Sequence, residues 1–222
     1  LDPVLRLMHR TGIQSTGWLD TGDKCIRSHL ARVDIDLFCN DWTTLKPVAR
    51  DDIAPFVVAS VDIECNSSTG KFPDANIPGD ACFQIAISLC KFGSDEPYDK
   101  TCLCYKQTDP NLEGCDIRSY ATEREMLEAF QKYLHKKDVD IITGWNIFGF
   151  DMEYIYKRAQ INRCHYDFYN LGKLKDTDSE LVIKKLSSSA LGDNLLKLLP
   201  MSGRFIFDLF QFLASFKALL LV

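Results

Sequence analysis

The chain has 222 residues, 46% of them hydrophobic and 26% charged. That is enough for one domain, or one domain and part of a neighbour, with a real core, and it excludes disordered, collagen-like and low-complexity classes. No stretch approaches the roughly 18 apolar residues that a membrane span needs, and the start "LDPVLRLMHRTG" has no apolar run of signal-peptide type, which argues against secretion. With 26 basic and 31 acidic residues the net charge is −5. Binding to nucleic acid through a basic surface alone is therefore excluded, and any such chemistry must rest on local features, on metal ions or on another part of a larger protein.

Residues 1–55 are mixed. "HRTGIQSTGWLDTGDK" carries turn signals and scattered aromatics. "RVDIDLFCNDW" alternates Val33, Ile35 and Leu37 with Asp34 and Asp36, which predicts a half-buried strand. "LKPVARDDIAP" then reads as a connector punctuated by Pro47 and Pro55. From Phe56 the pattern changes. "FVVASVDIE", "CFQIAISLC" and "KTCLCYKQT" predict three strands, the first two fully buried, separated by turn-rich loops. "ATEREMLEAFQKYLHKK" predicts a helix with a Thr122/Glu125 capping box and an apolar stripe of Met126, Leu127, Phe130, Tyr133 and Leu134. "VDIITGWN" predicts a further strand and "DMEYIYKRAQIN" a helix opening at Asp151. "LGDNLLKLLP" reads as a weaker helix, and "RFIFDLFQFLASF" as a strand turning into a helix near Asp208. Strands followed by helix–strand–helix units predict an α/β fold, a mixed sheet flanked by helices over residues 56–222.

Nine cysteines are present. None is spaced C-x-x-C and the four histidines do not complete a ligand set with them, which argues against zinc. Cys102 and Cys104 on a strand share a face and read as small apolar side chains packing together. Reduced thiols of an intracellular protein are the expectation. The chain begins at Leu1 rather than Met and ends in "LLLV", so a piece of a longer polypeptide is also expected.

Two segments carry candidate chemistry. Asp62 and Glu64, at i and i+2 of an apolar strand, project to one face. Two unpaired carboxylates in a buried strand are expensive unless a cation neutralises them, and a hard divalent ion does so directly. A solvated strand end would explain the same pair without a metal. In "TGWNIFGFDMEYIYKRA", Asn146 reads as a turn residue and Asp151 as a helix cap. The same order of elements also places Asp151 at a strand end, where Asp62 and Glu64 would lie if the strands are neighbours.

"VASVDIECNSSTGKFPDANIPGDACFQIA" resembles the first exonuclease motif of family B DNA polymerases, in their polymerase delta and large-DNA-virus branch. "ITGWNIFGFDMEYIYKRAQ" resembles their second motif, Asn-x-x-x-Phe-Asp, and "SGRFIFDLFQFL" their Gly-Arg-x-x-x-Asp-Leu segment. "TGIQSTGWL" and "DWTTLKPVARDDIAPF" look like the family's lead-in. The resemblance implies an RNase H-like exonuclease domain over residues 56–222, C-terminally incomplete, after part of a β-rich N-terminal domain and connector at 1–55. It implies proofreading 3′→5′ hydrolysis of single-stranded DNA 3′ ends with two divalent ions, Mg²⁺ or Mn²⁺. Asp62 would bridge the ions, and Glu64 and Asp151 would each hold one. Asn146 would contact the substrate strand, with Phe83, Trp145 and Phe148 as stacking surfaces. The family's fourth carboxylate, in Tyr-x-x-x-Asp, is expected beyond Val222. Tyr105/Asp109, His135/Asp140 and His29/Asp34 match such spacings in the wrong chain order, and Asp208 is expected to cap or pack.

The implied parent is a replicative DNA-directed DNA polymerase in the nucleus or a viral replication compartment. The remaining palm, fingers and thumb and the primer 3′ end would be its partners, accessory subunits could join it, and no membrane is involved. Two alternatives stand beside that expectation: a stand-alone exonuclease of the same four-carboxylate type, and a catalytically incomplete structural module.

Overall fold

The computed structural model describes residues 2–188 and 192–220. The chain forms two compact units, Leu1–Ala54 and Pro55–Val222. In the first, α1 (Pro3–Thr11) starts where the Asp2 carboxylate accepts from the Val4 and Leu5 amides, with Pro3 in its first turn and Gly12 closing it. This helix is absent from the sequence reading, although Asp-Pro at the start and Gly at the end are ordinary start and stop signals. β1 (Trp18–Asp20), β2 (Cys25–Arg27), β3 (Leu37–Cys39) and β4 (Lys46–Val48) follow. They form two separate antiparallel pairs, β1 with β4 and β2 with β3. The strand predicted over "RVDIDLFCNDW" is shorter than its alternation implies. Ile35 is exposed, and the Asp36 carboxylate accepts from the Ala31 amide, which turns the segment before β3.

The second unit contains β5 (Val57–Cys65), β6 (Cys82–Lys91), β7 (Asp99–Tyr105), β8 (Asp116–Tyr120), α2 (Glu123–Lys136), β9 (Ile141–Gly144), α3 (Asp151–Ile161), the short α4 (His165–Phe168), β10 (Val182–Ser188), β11 (Gly192–Leu198), β12 (Phe205–Asp208) and α5 (Leu209–Leu220). Six strands form one mixed sheet in the order β12-β9-β5-β6-β7-β8. β5–β6 and β6–β7 are antiparallel; β7–β8, β5–β9 and β9–β12 are parallel. The strand carrying Asp62 is thus interior.

Alternation along β5 buries Val57, Ala59, Val61 and Ile63 on one face and leaves Ser60, Asp62 and Glu64 exposed on the other. The buried face packs with Ile85, Ile87 and Leu89 of β6 against the stripe of α2 (Met126, Leu127, Phe130, Leu134) and against Met152 and Ile155 of α3. The capping box of α2 is present in both directions. β5 is therefore buried on one face only, a correction to the fully buried strand expected from its composition. The segment read as a weak helix, "LGDNLLKLLP", instead contributes β11 to an antiparallel hairpin with β10. Leu195, Leu196, Leu198 and Leu199 have helical spacing, but the Val-Ile-led partner strand pairs with the backbone of β11 and overrides it.

Candidate active site

The strand order reverses at β5, with β6, β7 and β8 on one side and β9 and β12 on the other. In open α/β sheets ligands gather beyond the carboxyl ends of parallel strands at such a point. β9 stops at Gly144, whose neighbour on β12 is Asp208. A side chain at 144 would collide with the Val61 carbonyl and with Ile147, so only glycine lets β9 close up beside the residue preceding Asp62. β5 runs on past its last pair with β9, Ser60↔Thr143, through Asp62 and Glu64 to Cys65.

The chain turns from β9 into α3 through residues 145–150. Asn146 takes a left-handed backbone (φ 57°), which Asn tolerates better than most residues. Its carbonyl accepts from the Gly149 and Phe150 amides at 2.8 and 3.1 Å. Its side chain lies over Gly149, where any Cβ would strike it. Phe150 holds the cap position of α3 and no side chain caps the helix. Asp151 is the first helical residue, 4% exposed, and its Oδ1 is buried with no hydrogen-bond partner. The capping reading of Asp151 is thereby excluded. Burial, and then the negative charges of Asp62 and Asp208, push its carboxyl up to about 6; its own amide and that of Ile63 offset part of the rise. Asp151 therefore sits against β5 at the level of Asp62 and Ile63.

A divalent cation fits this donor set. The ligands on offer are carboxylate oxygens, which hard cations take, and one of them is a buried oxygen that nothing in the protein satisfies. Among the described residues no three carboxylate, imidazole or thiol side chains already stand together as a cage. Asp62 and Asp151 are brought within electrostatic reach, and Glu64 lies two residues further along the face of Asp62. Asp62 and Glu64 are exposed, so the burial penalty that the sequence assigns to them falls on Asp151.

Asp208 is buried at the β12–α5 junction, 3% exposed. Its Oδ1 accepts from the amides of Asn146 (3.1 Å), Phe210 (2.9 Å) and Gln211 (3.3 Å), and its Oδ2 from the Phe148 amide (2.8 Å). Both oxygens are in use. The Gly-Arg segment before it is also structural, since Arg204 donates to the carbonyls of Leu171 and Val139. Two residues of the out-of-order pairs are likewise engaged. The Asp140 carboxylate accepts from the Val57 amide at 2.7 Å, and a ring nitrogen of His135 lies 3.2 Å from the Gly172 carbonyl.

The aromatic candidates separate. Trp145 is 59% exposed and meets Phe210 edge-on at 5.5 Å. Phe148 is half-buried, and its carbonyl accepts from the Lys197 amide of β11 at 3.0 Å. Phe83 is half-buried at the bulge where the β5–β6 register shifts between Glu64 and Cys65. A groove of about 270 Å³ runs beside Asn146, walled by Phe72 and Phe150 and flanked by Lys157 and Lys197. Phe72 is 77% exposed and packs edge-on against Phe150 at 5.2 Å. The sequence reading omits Phe72 and both lysines. A large aromatic in a turn-rich loop eight residues past Glu64 is the available signal for Phe72. Lys157 stands four residues after Glu153 on one helix, a spacing visible in the sequence, and pairs with it at 3.0 Å, whereas only folding brings Lys197 to Glu153, at 2.5 Å.

A six-stranded mixed sheet flanked by helices defines an α/β domain of RNase H-like type. The model of the DNA polymerase family B exonuclease domain matches residues 1–219, and the chain belongs to that family. It is 32% identical to a DNA polymerase of Paramecium bursaria Chlorella virus NY2A over 95% of its length. It is 36% identical to the DNA polymerase delta catalytic subunit of Arabidopsis thaliana over 94%, and 34% identical to a DNA polymerase of Acanthamoeba polyphaga mimivirus over 71%. The matches span 24%, 19% and 9% of those relatives' own lengths.

Proposed function

We propose that this chain is the 3′→5′ exonuclease region of a longer replicative DNA polymerase and acts on single-stranded DNA 3′ ends. The observation that carries the reading is Asp151, a buried carboxylate with an unsatisfied oxygen, within electrostatic reach of Asp62. Asp62, Glu64 and Asp151 are the residues that would hold two divalent ions, Mg²⁺ or Mn²⁺. Bound there, such ions supply Lewis-acid stabilisation of the phosphate and a more acidic water. The protein's own share is positioning. β5 presents Asp62 and Glu64 on its open face, and the 145–150 turn delivers Asp151 to the same strand. Asn146 lines the adjoining groove, where Phe72 and the Lys157 and Lys197 cations offer stacking and phosphate contacts to an unpaired strand. Phe83, Trp145 and Phe148 are further surfaces at its margins, Trp145 being the most exposed of the three.

The second reading, a catalytically incomplete module, is favoured by one observation. Asp208, a further acid whose charge acts on Asp151, has both oxygens committed to four backbone amides and is not free to complete the site. Residues 1–222 are accordingly expected to be a weak nuclease, and a polypeptide extended through a Tyr-x-x-x-Asp element a strong one. The parent would work at nuclear or viral replication sites, with the remainder of the polymerase chain and the primer 3′ end as partners.

Digestion of a 3′-unpaired oligonucleotide by both polypeptides, with Mg²⁺ or EDTA, tests the reading. Metal-dependent cleavage by the extended chain, abolished by Asp62→Ala, is expected. No cleavage by the extended chain, or cleavage unchanged by Asp62→Ala, would reject it.

A further inference from the structure

Asp208 joins two segments that are far apart in the chain. One carboxylate takes amide protons from Asn146 and Phe148, in the turn between β9 and α3, and from Phe210 and Gln211, in the first turn of α5. A helix cap needs only the last two. The first two lie about 60 residues upstream, in the turn that leads into Asp151. Asn146 stands there in a left-handed conformation that a non-glycine residue holds only when its surroundings enforce it. Two neighbouring contacts tie the same segments, the Thr143 hydroxyl to the Phe207 carbonyl at 2.8 Å and Trp145 to Phe210.

From these contacts we infer that Asp208 is a positioning residue, whose carboxylate fixes the 145–150 turn and thereby the placement of Asn146 and Asp151 against β5. The physical basis is the strength and geometry of the four bonds. Hydrogen bonds from backbone amides to a buried carboxylate are charge-assisted, the Phe148 and Phe210 bonds being the shortest of the four at 2.8 and 2.9 Å, and leaving such amides unpaired costs more than the bonds themselves contribute. The Asn146 carbonyl then passes the constraint on, since it accepts from Gly149 and Phe150, and the Ile147 carbonyl accepts from Met152 in the first turn of α3. A rotation of α5 about its start would be felt at Asn146 and Asp151 through this side chain, alongside the Trp145–Phe210 contact. The consequence for substrate rests on the function proposed above; the positioning itself does not.

The test uses Asp208→Asn and Asp208→Ala in the 222-residue chain, with Leu103→Ala as a destabilised control buried in β7, on the far side of the sheet. Asparagine keeps one acceptor oxygen and the shape but replaces the oxygen that serves Phe148. Amide hydrogen exchange in Asp208→Asn should therefore accelerate at Phe148 by about tenfold or more, with β5 and β6 unchanged. At a temperature where every variant is folded, anisotropy of a short fluorescein-labelled oligothymidylate should show binding weakened about tenfold in Asp208→Asn and unaltered in Leu103→Ala. Protection at Asn146 and Phe148 that stays intact, or that falls in step with the whole sheet, overturns the inference. Failure of the wild type to bind the oligonucleotide, with the selective exchange change present, rejects the proposed function and leaves the positioning role standing.

Discussion

Two acids of this domain begin two neighbouring helices in the same way and end in opposite circumstances. Glu123 is the first residue of α2 and Asp151 the first of α3, and each is 4% exposed. Glu123 is fully answered. It holds the Arg158 guanidinium at 2.5 and 2.8 Å, and it accepts from the Cys82 amide at 2.9 Å and from the Asn162 side chain at 2.8 Å. Arg158 in turn donates to the carbonyls of Ala75, Ile77 and Pro78, so the pair ties α2, α3 and the loop after β5 into one body. Asp151 has an orphaned oxygen, two further negative charges in range and no ion pair among the described residues. A buried charge that the chain itself compensates is part of the framework. One that it leaves uncompensated is a candidate for compensation from outside.

The largest effect should come from breaking the compensated pair. Arg158→Ala leaves Glu123 buried and unpaired and frees three carbonyls, which should cost about 3–5 kcal/mol in urea unfolding. A loss below about 1 kcal/mol would mean that Glu123 is rescued by water, and the contrast between the two acids would weaken.

The uncompensated acid should respond in the opposite direction. The Asp151 carboxyl is raised to about 6 in the folded chain from an ordinary 3.8. The folded state therefore holds this proton more tightly than the unfolded state, and its contribution to stability is lost as pH rises through that window. Asp151→Asn removes the ionisation penalty. Relative to wild type it should stabilise the fold by about 2 kcal/mol above pH 6, and the advantage should vanish below about pH 4. A variant less stable than wild type at neutral pH would show that Asp151 is a structural acid like Glu123.

How far these differences were legible in the sequence follows from their range. The α2 capping box and stripe, β5 with its i, i+2 acids, and the strand–turn–helix around Asn146 are local patterns, and each appears where its spacing places it. The family motifs around Asp62 and Asp151 are legible for the same reason. The Glu123–Arg158 pair is not, because 35 residues separate its members and neither spacing nor composition marks them. Nor is the orphaned state of Asp151, which depends on where β9 stops beside β5. The 192–198 strand is not legible because its leucines have helical spacing and a partner strand outside that pattern overrides it.

Metal should sharpen the comparison by a smaller amount. If Mn²⁺ binds only the folded chain through Asp62 and Asp151, Mn²⁺ at ten times its Kd should add about 1.4 kcal/mol of stability. The midpoint of wild-type unfolding should then rise with Mn²⁺ concentration, and those of Asp62→Ala and Asp151→Asn should stay flat. An equal rise in all three would place the ion elsewhere.

The smallest effect separates shape from contact at Asn146. Its φ of 57° is a conformation that glycine adopts freely and alanine does not. Asn146→Gly should therefore stay within about 0.5 kcal/mol of wild type, the lost packing over Gly149 being the main loss. Asn146→Ala should be less stable than the glycine variant by about 1 kcal/mol, the left-handed penalty of a Cβ. Both variants lack the side chain that lines the groove. If that side chain touches the nucleic-acid strand, both should bind a single-stranded oligonucleotide less well, and to a similar degree, whatever their difference in stability. If binding instead follows stability, with Gly near wild type and Ala weakened, Asn146 serves only to shape the turn, and the groove beside Asp151 is read by Phe72 and the lysines without it.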